Sequence, residues 1–245
     1  MRIRVGHLYP EYLNIYADRG NIAVLSARAA VRGHDLEVIA LGLGDAIPEI
    51  DLDLVYIGGG QDREQALIAP DLLAKGPALH EAAAAGTAFL SVCGGYQLLG
   101  HFYRDQAGAE LPGIGLLPLS TTAGNRRLIG DVLLDCAWAD ETLVGFENHA
   151  GLTTLDAGAE PLGRVLAGHG NDGTSGFEGC RSGRVYGTYL HGPLLPRNPW
   201  FADLLLTAAL EHAAGEPVAL TPLDDGFEAA AHALASSRAR ARGGR

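Results

Sequence analysis

The sequence is poor in cysteine, with three in 245 residues. Cys93, Cys136 and Cys180 are too few and too scattered for a disulfide framework or a zinc site, so reduced thiols are expected. Long apolar runs are missing too. No stretch approaches the roughly 18 residues of a membrane span, and the opening MRIRVGHLYPEY turns polar after a few apolar positions, unlike a signal peptide. A soluble cytoplasmic protein with no membrane insertion is expected. Basic charge is scarce, with 18 Lys and Arg against 29 Asp and Glu, a net charge of −11. Four of the arginines lie in the ending SSRARARGGR, so residues 1–235 carry −15. This balance argues against a nucleic-acid-binding surface, and the ending reads as a disordered basic tail. No Gly-x-x-x-x-Gly-Lys-Ser/Thr occurs, and the glycine run in YIGGGQDREQA lacks the Gly-x-Gly-x-x-Gly spacing, so that run is not recognisable as an ATP or dinucleotide phosphate loop. There is no internal repeat.

The first half alternates strand-like runs (RIRVGHLY, LEVIAL, LDLVYIGGG, TAFLSV) with helical patterns (NIAVLSARAAVRG, DLLAKGPALHEAAAAG). Such alternation predicts an α/β fold, a mainly parallel sheet with helices on both faces. The second half is richer in glycine and short β-like segments, RLIGDVLLDC, TLVGFENHAG, GRVLAGHG and GRVYGTYLHG, before a closing helix NPWFADLLLTAALEHAAG. Some antiparallel strands are expected there. One domain over residues 1–215 and a helical extension over 216–245 is the simplest division.

The stretch TAFLSVCGGYQLLG sets Cys93 between a buried strand and a glycine pair opening a helix. That is the pattern of a nucleophile elbow, in which a sharp turn exposes the side chain at the carboxyl edge of the sheet. The following helix aims its positive end at the thiolate, and the N–H of Gly94 is placed to bind an oxyanion. The alternative is a small buried residue at a strand end. In YIGGGQDREQA, Gly58, Gly59 and Gly60 follow the preceding strand and offer a second oxyanion donor at the same edge. An ordinary glycine-rich turn would look the same. A thiol nucleophile needs a base, and nine histidines compete. His191 ends the strand-like GRVYGTYLHG; His149, in GFENHAG, is the alternative. His34, His80, His101, His212 and His232 fall in helical or turn patterns and read as surface residues. Aromatic residues beside charges in YPEYLNIYADRGN suggest a contact surface, although Tyr12 and Tyr16 at helical spacing suit inward packing equally well.

Taken in order, YLNIYADRGN, IGGGQDREQA, VCGGYQLLG, NRRLIGD, GFENHAG and GTYLHGPLLPRN resemble the class I (triad-type) glutamine amidotransferases of the cobyric acid synthase branch. The chain looks most like the glutaminase subunits of lipid II isoglutaminyl synthases. The resemblance implies a flavodoxin-like three-layer fold, with Cys93 as nucleophile and His191 as base. It implies that Arg127, rather than the adjacent Arg126, contacts L-glutamine, with His149 assisting binding and Gly94, Gly59 and Gly60 forming the oxyanion hole. It also implies no cofactor in this chain, ATP and Mg on a Mur-ligase-like partner, and a heterodimer that amidates the D-glutamate α-carboxyl of the lipid II stem peptide. A corrinoid acceptor of the cobyric acid type is the alternative; those enzymes carry an ATP-using domain before the amidotransferase domain, whereas here the resemblance begins near residue 1. One departure stands out: His191 is followed by Gly192 and Pro193, where most of the class carries His-x-Glu. The orienting acid is absent from its usual place, leaving Glu147 or a simple dyad.

Overall fold

The computed structural model describes residues 1–15, 19–48 and 50–243. Tyr16 lies outside them. The first sheet has six strands in the order β11-β12-β4-β3-β1-β2. In chain order these are β1 (Arg2–Leu8), β2 (Asp35–Leu41), β3 (Leu54–Ile57), β4 (Ala88–Val92), β11 (Cys180–Ser182) and β12 (Val185–Thr188). All neighbours pair parallel except β11 with β12. The chain runs from β1 outward to β2, then returns to place β3 on the other side of β1. This is the strand order of doubly wound α/β folds, whose ligands bind beyond the carboxyl ends of the strands. Every side chain of β3 and β4 is buried, as expected of central parallel strands covered on both faces. Phe89, Leu90 and Val92 are fully covered, each contributing about 1.5–3 kcal/mol of burial.

Helix α1 (Arg19–Val31) packs against α4 (Pro199–Ala214), while α2 (Asp62–Ala85) lies against the short α3 (Gly94–Leu98). The sequence pattern places a helix only from Asp71; in fact α2 starts nine residues earlier and runs through Pro70 and Pro77. The two prolines are seven residues apart, two helical turns, and both are exposed. The carbonyls they leave without donors, on Ala66 and Leu73, are on exposed residues and open to water, so the helix survives losses that would break a buried one.

The second sheet holds β5 (Phe102–Arg104), β6 (Glu110–Pro112), β7 (Leu119–Cys136), β8 (Glu141–Leu155), β9 (Gly163–Ala167) and β10 (Phe177–Glu178). Its spine is the long antiparallel hairpin β7–β8. An isolated bridge between Phe146 of β8 and His191 ties the two sheets together. His191 is thus not the last residue of its strand: β12 stops at Thr188, and His191 pairs instead with Phe146 of β8.

The arginine-rich ending, expected as a disordered tail, is helical as far as Gly243. Helix α5 (Gly226–Gly243) lies across β7, β8 and β9, burying Ala239, and is pinned by Arg242 to Asp131 at 2.8 Å. Its start is held by Arg28 of α1, which is sandwiched between Asp203 and Asp225. Small alanines and a few ion pairs supply the docking that an arginine count does not reveal. Among the described residues no helix is long and apolar enough to cross a membrane.

Candidate active site

Cys93 follows β4 directly and has φ 50° and ψ −108°. A non-glycine residue in this region carries strain of about 1–3 kcal/mol, and such strain persists only where the surroundings over-determine it. They do so here. The N–H of Cys93 donates to Thr188 O at 2.8 Å, its carbonyl accepts the N–H of Gln97 at 3.0 Å, and the residue is 9% exposed. The helix behind the elbow is shorter than the sequence suggests, only five residues, so its dipole is small and the turn's own N–H groups matter more.

The two glycines after Cys93 are required by close approach. A Cβ on Gly95 would fall 2.6 Å from Ile57 Cγ2 and 2.8 Å from Gly58 O, and one on Gly94 would fall 3.0 Å from both N and O of Gly60. The elbow therefore packs onto the end of β3 and brings Gly60 to its side. Among the described residues, the N–H of Cys93 is taken by Thr188 O and that of Gly95 by Gly58 O at 3.2 Å, while no backbone acceptor meets the N–H of Gly94. Gly59 sits one step back, its carbonyl accepting the N–H of Ile15 at 3.2 Å.

Cys93, Gly60, Arg127 and His149 all line one cavity of about 500 Å³, together with Gln65, Gln97, Tyr103 and Asn148. Arg127 arrives there through a fault in the β7–β8 ladder. Register holds at Ala123–Gly151, fails, and resumes at Leu128–His149, so four residues of β7 bulge opposite Ala150 alone. The bulge turns Arg127 toward β8, where Nε donates to Asn148 Oδ1 at 2.8 Å and Nη2 to Asn148 O at 3.1 Å. Arg126 is not at the cavity; its guanidinium lies near Gly173.

His149 is buried, with its ring stacked on Tyr189 at 3.6 Å and 1°. Its Nδ1 bonds to Gly151 O at 2.7 Å, and its Nε2 stands 3.7 Å from Glu147 Oε2. The carboxylate of Glu147, considered above as an orienting acid for His191, accepts the N–H groups of His169 and Gly170 at 2.7 and 2.9 Å. His191 is fully buried and not part of the cavity lining; it lies three residues past the Thr188 that binds Cys93. Of the histidines read as surface residues, His80 and His101 are exposed, while His212 and His232 are partly buried, on Asp53 and on Thr142. The thiols of Cys136 and Cys180 are covered, and burial pushes both up to about 12, which makes them inert near neutral pH.

The sequence reading missed Gln65, Gln97, Asn148 and Glu178. Gln97 lies four residues after Cys93, one helical turn, and so had a positional signal; its Nε2 donates to Tyr189 Oη at 3.0 Å. Gln65 had one also, four residues after Gln61 at the start of α2, but a buried glutamine cannot be told from an exposed one in an unpaired sequence. Glu178 is fully buried, and desolvation raises its carboxyl to about 8.

Residues 4–199 match the family model of the CobB/CobQ-like glutamine amidotransferase domain. The chain is 38% identical over 225 residues, 91% of its own length and 86% of the relative's, to subunit GatD of the lipid II isoglutaminyl synthase (glutamine-hydrolyzing) of Streptococcus pneumoniae. It is 40% identical over 209 residues, 85% of each chain, to the Staphylococcus aureus protein of the same name. Among solved structures, a chain of PurLQS from Thermotoga maritima superposes with a TM-score of 0.55 at 18% identity, covering 78% of this chain and 88% of that one, a likeness of fold.

Proposed function

The chain belongs to the CobB/CobQ-like glutamine amidotransferase family, and we propose that it is the glutaminase subunit of a lipid II isoglutaminyl synthase. The observation that carries this reading is the 38–40% identity to two GatD subunits along nearly the whole of each chain.

In the proposed reaction L-glutamine lies in the 500 Å³ cavity with its α-carboxylate on Arg127, a bidentate match for a guanidinium. The Cys93 thiolate attacks the side-chain carbonyl carbon. The negative charge that develops on oxygen is met by the N–H of Gly94 and, across the elbow, that of Gly60, while Gly59 shapes the loop; one such donor is worth about 3 kcal/mol. His191 gives a proton to the departing ammonia, leaving a γ-glutamyl thioester on Cys93. The same imidazole then takes a proton from water, whose oxygen displaces the thiolate and yields glutamate. The amidotransferase unit is residues 1–215, and residues 216–245 are a helical extension.

Ammonia in bulk water is diluted and protonated, so its use requires an acceptor enzyme docked on this chain. In this reading the acceptor is a Mur-ligase-like subunit that binds ATP and Mg and activates the D-glutamate α-carboxyl of the lipid II stem peptide. The heterodimer works in the cytoplasm, in peptidoglycan synthesis. The test is to incubate the purified chain with glutamine, ATP and lipid II, with and without that ligase, following glutamate and isoglutamine. Isoglutamine only in the two-subunit mixture is expected. Amidation by this chain alone would refute the two-subunit reading, and amidation of a corrinoid but never of lipid II would assign the chain to the cobyric acid type.

A further inference from the structure

Past Thr188 the chain stays inside the protein: Thr188, Tyr189, Leu190 and His191 are all fully buried. A turn in such a place must satisfy its polar groups internally. Glu178, the last residue of β10, does this. Its Oε1 accepts the N–H of Tyr189 at 2.6 Å, and Thr188 Oγ1 donates to the carboxyl, 3.1 Å from Oε1 and 3.0 Å from Oε2. Thr188 Oγ1 in turn accepts the N–H of Leu190 at 3.0 Å. One carboxyl therefore fixes three consecutive residues.

Those residues touch each part of the candidate site. Thr188 O holds the N–H of Cys93. Tyr189 stacks on His149, and its hydroxyl is bound to Thr153 at 2.7 Å and to Gln97. Leu190 precedes His191, whose backbone is locked to Phe146 by bonds of 2.8 and 3.1 Å. We propose that Glu178 is a positioning residue of the glutaminase reaction: its carboxyl sets the Thr188–Tyr189–Leu190 turn and, through it, the placement of Cys93, His149 and His191 relative to one another. The inference rests on the glutaminase reading above.

A carboxyl is an expensive way to fill buried space, since an apolar side chain of similar size carries no desolvation cost. It is faced by Glu147 from β8, His191 beyond β12, Tyr96 from α3 and Cys136 from β7. Burial raises it to about 8, which favours the neutral form and so secures the turn with less negative charge beside Glu147.

The experiment compares Glu178→Ala, Glu178→Asp and Glu178→Gln in the full chain. Glutamate release at pH 6.5 and the rate of Cys93 alkylation by iodoacetamide, read by mass spectrometry, are both measured. Ala leaves the turn unheld and Asp withdraws the carboxyl by one methylene; each is expected to lower kcat by at least tenfold with KM within about twofold, and to change the alkylation rate. Gln keeps an acceptor for Tyr189 and should restore kcat to within about threefold. If Ala fails to fold, Asp against Gln decides. A kcat within twofold of wild type in Asp, or a Gln variant as impaired as Asp, overturns the proposal. A wild-type chain that releases no glutamate overturns the functional reading instead, and the alkylation rates then decide this one alone.

Discussion

The amide of Cys93 is bonded to the carbonyl of Thr188 at 2.8 Å, one residue beyond the last registered pair of β4 and β12, Val92 with Thr188. Candidate nucleophile and candidate base thus leave two adjacent parallel strands at the same edge, and the backbone of one strand end holds the strained turn of the other.

Cys93→Ala and Cys93→Ser are expected to abolish glutamate release and leave the fold intact, because Gly94 and Gly95, not the thiol, make the close approaches at the elbow. Cys136→Ala and Cys180→Ala should keep activity while costing some stability, as both side chains are buried. Glutamate release surviving in Cys93→Ala would show the elbow assignment to be wrong.

His191→Ala should lower kcat by at least about 100-fold, the loss typical of a positioned general base. His149→Ala removes the ring stacked on Tyr189 and should act mainly on KM for glutamine. Rapid-quench measurement of the thioester separates the two; normal thioester formation without His191 would transfer the base role to His149.

Arg127→Ala should raise KM for glutamine by about 10- to 100-fold, the worth of a charge-assisted bidentate contact. Asn148→Ala, which removes the Oδ1 acceptor of Arg127 Nε and keeps the backbone carbonyl that accepts Nη2, should give a smaller rise in the same direction. Arg126→Ala should do little. An unchanged KM in Arg127→Ala would contradict the substrate-binding role.

Glu178 also predicts a pH dependence of stability. Its carboxyl is raised from 4.5 in the unfolded chain to about 8 in the fold. Between those values the folded protein holds a proton the unfolded chain has released, so this group's contribution falls as pH rises through the window and levels off above it. Glu178→Gln cannot titrate. The melting-temperature difference between variant and wild type should therefore move in the variant's favour from pH 5 to pH 8, and a constant difference would contradict the burial-driven shift.

Much of the site is legible in the residues themselves. A lone cysteine between a strand and two glycines has few readings, and the structure gives it the strained backbone of an elbow. The alternation of apolar runs and helical patterns likewise leads to the parallel sheet. What pattern could not supply depends on distant partners. The bulge that separates Arg127 from Arg126 arises from pairing with a strand some twenty residues away. The end of β12 at Thr188 is set by Phe146, and the order of the arginine-rich ending by the surface of the second sheet. Glu178 carries no signal in the sequence because its buried partners, Thr188 and Tyr189, lie ten and eleven positions on.

The sheet order also fixes when the site comes into being. β4 and β12 are neighbours in space, yet every strand of the second sheet is synthesised between them. At about 5–20 residues per second a ribosome needs on the order of 5 to 20 seconds to reach β12 after completing β4. Through that interval the nascent chain has its candidate nucleophile without the candidate base, and the side of β4 that β12 will cover is an unpaired edge open to wrong partners. With Cys93 and His191 in the proposed roles, glutaminase activity is withheld from every intermediate that stops short of His191, a safeguard written into chain order alone.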